Sequence, residues 1–151
     1  MEAVKLPGTA KEFLETAFAA RTERVNCEYR LEKLQKDLER FTTKDMNNPK
    51  AEFLLQMHDK LLKSTNSLFD DLNEKIIYYW NICSLVSDKI DKITDYRFRM
   101  ILRLRYLDGM AWGDVWEDLR HKYGIWYEER QLFRFHKKAL AELQNVLDTS
   151  N

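Results

Sequence analysis

The sequence predicts an all-α chain, with a long helical arm that is antiparallel or coiled-coil in character, followed by a compact group of shorter helices. Three observations predict it. The 151 residues hold four glycines and two prolines, and neither type occurs between Lys50 and Asp108, which argues for long helices and against a sheet. Apolar residues from Leu72 to Ile93 step four-three-four-three-four-three, the seam of a coiled coil. The last third closes on a segment that is apolar on one side and basic on the other. These patterns divide the chain into an arm, residues 1–94, and a C-terminal domain, residues 95–151.

The first helix opens at Thr9, a fair N-cap, with Glu12 at capping-box spacing. No breaker follows until about Phe41, and Phe13, Leu14, Ala17, Phe18, Val25, Leu31, Leu34, Leu38 and Phe41 supply apolar positions around a more polar centre. Thr42 to Asn48 is a polar loop. Asn48 then caps a second helix with Pro49 at its first position, where a missing N–H costs nothing. That helix carries Leu54, Met57, Leu61 and Leu68, then the seam of Leu72, Ile76, Tyr79, Cys83, Val86, Ile90 and Ile93. The spacing from Leu68 to Leu72 inserts a stutter. A helix of about 44 residues would be roughly 66 Å long. It must fold back on the first helix, break, or pair with another chain, and the sustained seam favours self-association.

In the C-terminal third, Thr94 or Asp95 caps a helix running to about Leu107, apolar nearly all round and therefore sandwiched between neighbours. Arg97, Arg99, Arg103 and Arg105 interleave along it, and Asp108-Gly109 stops it. The next helix, about Ala111 to Tyr123, starts with acids that suit the positive end of its dipole. A turn at Gly124-Ile125-Trp126-Tyr127 leads to Glu128-Glu129 and the last helix. There Arg130, Gln131, Arg134, Lys137 and Lys138 fall within an arc of about 120°, free of acids, opposite Leu132, Phe133, Phe135, Ala139, Leu140, Leu143, Val146 and Leu147. Two short helices ahead of such a helix form the arrangement by which a helix-turn-helix presents a reading helix to DNA. Arg and Gln near its start suit guanine and adenine edges, and lysines one turn later suit phosphates. An ordinary solvated face is the competing explanation, against which the lack of acids on that arc weighs.

Lys and Arg together number 25, as do Asp and Glu, so net charge argues for no particular ligand and only its distribution is informative. Cys27 and Cys83 stand far apart without a CxxC or a histidine pair, which argues against a zinc site or a disulfide framework and predicts reduced thiols. His58, His121 and His136 show no metal-ligand spacing, and His136 falls on the apolar side of its helix, as a packed histidine does. No catalytic constellation and no cofactor site can be proposed. No apolar run is long enough to span a membrane, and the N-terminus lacks a signal-peptide core. The expected compartment is intracellular.

With these residues in view, the stretch from about Asp95 to Leu147 resembles region four of bacterial sigma factors, and more closely the phage regulators of the ArpU and RinA type. The matching residues are Leu102-Arg103-Leu104-Arg105-Tyr106 with Gly109, then Trp112, Val115 and Leu119, then Arg130-Gln131-Leu132-Phe133-Arg134-Phe135-His136 ahead of Lys137-Lys138-Ala139-Leu140. The resemblance covers the last third of the chain. It departs from the family at Trp116, where the family carries a small residue, and in a longer segment from Arg120 to Tyr127.

The resemblance implies binding to double-stranded DNA and control of phage transcription, commonly of late genes, in the cytoplasm of a bacterial host. Arg130, Gln131 and Arg134 would read bases and Lys137 and Lys138 would contact phosphates, with Arg103 and Arg105 as backbone contacts. The arm would associate chains, a dimer being favoured. Two alternatives stay open. One is a small terminase-like packaging protein. The other is a protein-binding adaptor without DNA binding, in which Trp112, Trp116 and Trp126 dock a partner such as host RNA polymerase.

Overall fold

The structure, a computed structural model, describes residues 4–40, 47, 49–125 and 128–149. All regular structure among them is helical. Helix α1 spans Ala10–Glu39 and α2 spans Ala51–Ile90. The first begins where the sequence places it, the Thr9 carbonyl accepting the Phe13 amide at 2.8 Å. Asn48, the expected cap of α2, and most of the expected loop before it lie outside the described residues.

The chain divides into two compact units: Met1–Thr22 with Tyr79–Asn151, and Glu23–Tyr78. The second holds the inner parts of α1 and α2, with Cys27, Ala51 and Leu72 buried and Tyr29 and Phe53 well exposed. This division differs from the expected boundary after residue 94. The reason lies on the last helix, α5, which spans Glu129–Thr149. Its Ala139, Leu143 and Leu147 need cover, and Ala10, Phe13, Leu14 and Ala17 of α1 give it, together with Val86, Ile90 and Ile93. The start of α1 and the end of α2 therefore share a core with the C-terminal helices.

That arrangement also uses the downstream half of the coiled-coil seam. Val86, Ile90 and Ile93 lie in this core, while Cys83 packs with Ala20 and Ile82 in a smaller cluster and its thiol lies 3.7 Å from the Ala17 carbonyl. These seam positions, expected to meet a second chain, meet the chain's own α1. Their burial on folding accounts for the pattern without a partner.

Helix α3 spans Tyr96–Leu102 and is capped by Asp95, whose carboxylate accepts the Arg97 amide at 2.9 Å. The chain then widens into a π-helical turn, Arg103–Leu107, closed by the Asp108 amide on the Arg103 carbonyl at 2.9 Å. Gly109 ends it at φ +70°, a conformation that side chains with a Cβ resist. Helix α4 spans Trp112–His121 and stops before Gly124, at φ +66°. After each glycine the next amide turns back six residues, Met110 to the Leu104 carbonyl and Ile125 to that of Leu119. A second core, Ile101, Leu104, Val115, Leu119, Ile125 and Leu132, joins α3, α4 and the start of α5. Helix α5 thus sits on two cores, one under each half.

Candidate nucleic-acid interface

The two cores fix which side of α5 meets solvent. Leu132, Ala139, Leu143 and Leu147 are buried, so the opposite arc faces outward, and Arg130, Gln131, Arg134, Lys137 and Lys138 are all exposed. Arg130, Arg134, Lys137 and Lys138 form no ion pair among the described residues. Lys138 packs its ammonium over the Phe135 ring at 5.5 Å, and its charge stays in water. Four cations spaced over about two turns, with no ion-pair partner among the described residues, produce a positive strip of the kind a polyanion binds.

Three of the expected contact residues have other occupations. Gln131 accepts the Glu128 amide on its Oε1 at 3.1 Å, the reciprocal arm of a capping box at the start of α5. Arg103 donates to the Ser87 hydroxyl at 3.0 Å and pairs with Asp91, bracing the π-helical turn against the end of α2. Arg105 donates to the Met110 carbonyl at 2.8 Å, with its guanidinium 5.1 Å from the Phe18 ring and 5.2 Å from that of Trp112. Arg103 and Arg105, expected as backbone contacts, are thus both engaged within the chain. Arg97 and Arg99 are tied likewise, to Asp95 and to the carbonyls of Ile93 and Thr94 just ahead of α3. The alternation of arginines alone does not show this, since the acids and carbonyls that bind them lie mostly on the preceding segment.

Beneath the strip lies a cluster that the sequence does not announce. The Tyr106 hydroxyl and His136 Nε2 are 2.8 Å apart, and the two rings stack with centroids 5.8 Å apart. Trp112 meets His136 edge-on at 4.6 Å and Phe133 at 5.8 Å. Burial chiefly, then the charges of Arg105 and Lys11, push the His136 pKa down to about 4. Burial likewise pushes the Tyr106 hydroxyl up. His136 is therefore a neutral packing residue that links the basic helix to the π-helical turn and to α4.

Of the expected docking tryptophans, Trp112 and Trp116 come together at the mouth of an apolar groove of about 270 Å³, lined also by Gly113, Glu129, Leu132 and Phe133. Both indoles are half-buried, and Trp116 is covered by the Arg120 guanidinium at 5.0 Å. Trp126 lies outside the described residues. Among the described residues, no cluster of His, Cys, Asp or Glu could hold a metal ion, and no helix is long and apolar enough to cross a membrane. No protein-family profile, curated protein or solved structure matches the chain.

Proposed function

We propose that the chain is a DNA-binding transcriptional regulator of the phage type, a helix-turn-helix protein that meets duplex DNA through α5. The observation that carries this reading is the face formed by Arg130, Arg134, Lys137 and Lys138, exposed and free of ion pairs among the described residues. A short α4 precedes α5, and the buried side of α5 packs on two cores. Arg130 and Arg134, within the first two turns, are the base-reading candidates. Lys137 and Lys138 take phosphates. Gln131 reads an adenine only by giving up its bond to the Glu128 amide. Self-association through the arm would use residues other than Val86, Ile90 and Ile93, which α1 covers.

Selection of bound sequences from a random duplex pool tests the reading directly, and enrichment of one motif is the expected result. On that motif, the Arg130→Ala/Arg134→Ala double variant should lose about 1–3 kcal/mol for each arginine that reads a guanine. Unchanged affinity in fluorescence anisotropy would sink the proposal. The groove between Trp112 and Trp116 favours a second reading, docking of a protein partner such as RNA polymerase. Salt separates the two, because phosphate-driven binding weakens steeply as salt rises and apolar docking does not.

A further inference from the structure

Helix α1 begins beside α5, on the line that carries the basic face. Arg130, Lys137 and Gln144 are spaced seven apart, so they fall on one strip that drifts by about 20° at each step. Gln144 Oε1 accepts the Ala10 amide at 2.8 Å, and its Nε2 donates to the Gly8 carbonyl at 3.0 Å. The first turn of α1 is thereby pinned about two turns, roughly 10 Å, beyond Lys137 along that strip. Lys11 stands exposed in this turn, close enough for its charge to act on His136, the residue before Lys137.

Two local rules oppose a cation there. The first turn of a helix is the positive end of its dipole, and the neighbouring face of α5 already carries cations that form no ion pair among the described residues. Glu15, at the i+4 position that would suit an ion pair, is exposed and forms none with Lys11. An approaching polyanion would relieve both conflicts. The strip ends at Asp148, which accepts from Gln144 Nε2 at 3.0 Å.

We propose that Lys11 is a second contact, borne by α1, to the sugar–phosphate backbone of the duplex that α5 engages; this rests on the DNA-binding reading above. Gln144 acts as the positioning residue, fixing the start of α1 against the recognition helix. Such a contact adds affinity without sequence preference.

The test is an anisotropy titration of the full chain on random-sequence duplex DNA over a series of salt concentrations. Lys11→Gln should make the log–log salt slope shallower by about 0.9, the loss of one phosphate contact, by the same amount on every duplex. Lys11→Arg should restore the slope, and both variants should melt with the wild type. A Lys11→Gln slope equal to that of the wild type, while Arg130→Ala/Arg134→Ala flattens it, would overturn this inference and leave the DNA-binding reading standing. Failure of the wild type to bind any duplex would overturn both.

Discussion

Protonating His136 should loosen the basic helix from its support. The imidazole is held neutral between Tyr106 and Trp112, and the nearby charges of Arg105 and Lys11 disfavour a third cation. Glu15, which acts on Tyr106, is the acid on that side. The folded-state pKa, about 4, lies below the ordinary histidine value of 6.5. The contribution of the neutral ring to stability is therefore complete above about pH 6.5 and is lost as pH falls through about 4. At about 1.4 kcal/mol per pH unit the ceiling is roughly 3 kcal/mol, and solvent screening of a half-exposed ring reduces this to about 1–2 kcal/mol. His136→Gln keeps a polar atom for the Tyr106 hydroxyl and cannot ionise. Urea unfolding followed by circular dichroism, at several pH values between neutrality and the folded-state pKa, should show the wild type losing about 1–2 kcal/mol more than His136→Gln. Carboxylates common to both proteins cancel in that difference. Parallel pH profiles, or an NMR titration of the His136 ring centred near its ordinary value, would refute the argument.

The helix-breaking Gly109 and the glycine inside α4 give opposite expectations. Gly109→Ala should lower stability by about 1–2 kcal/mol, because φ is +70° and an added Cβ would lie 2.5 Å from Arg21 Nη1. Gly113→Ala meets open space and should stabilise α4 by about 0.5–1 kcal/mol in thermal melts. Trp112→Ala removes the ring that holds Arg105, Phe133 and His136 together, and should cost about 2–4 kcal/mol in chemical denaturation. Gln144→Leu strips the amide of Ala10 and the carbonyl of Gly8 of their partner. It should cost about 1–2 kcal/mol and raise amide exchange in the first turn of α1.

What the sequence makes legible here is what local chemistry decides. Asp95 caps α3 because its carboxylate reaches an amide two residues on, and Gly109 and Gly124 stop helices because they tolerate positive φ. The outward face of α5 follows from the periodicity of Leu132, Ala139, Leu143 and Leu147. What stays hidden is set by distant partners. The seam residues Val86, Ile90 and Ile93 carry the same pattern whether they meet another chain or α1, and periodicity does not name the partner. The π-helical turn at Arg103–Leu107 leaves no mark in composition, since one widened turn depends on how Leu104 and Tyr106 pack into two different cores. Arg103, Arg105 and Gln131 have the residue types of DNA contacts, and only their surroundings show them bonded within the chain. Lys11 is one lysine among many until Gln144 places it.

The bond between Gln144 and the start of α1 joins residues 134 positions apart, and this has a consequence for biosynthesis. Phe13, Leu14 and Ala17 leave the ribosome well before Ala139, Leu143 and Leu147, which complete their cover. At about 5–20 residues per second, the nascent chain carries that apolar stripe incompletely covered for roughly 6–25 s. The acids and lysines that surround the stripe on α1, and any chaperone that meets the emerging chain, have to hold it in solution over that interval.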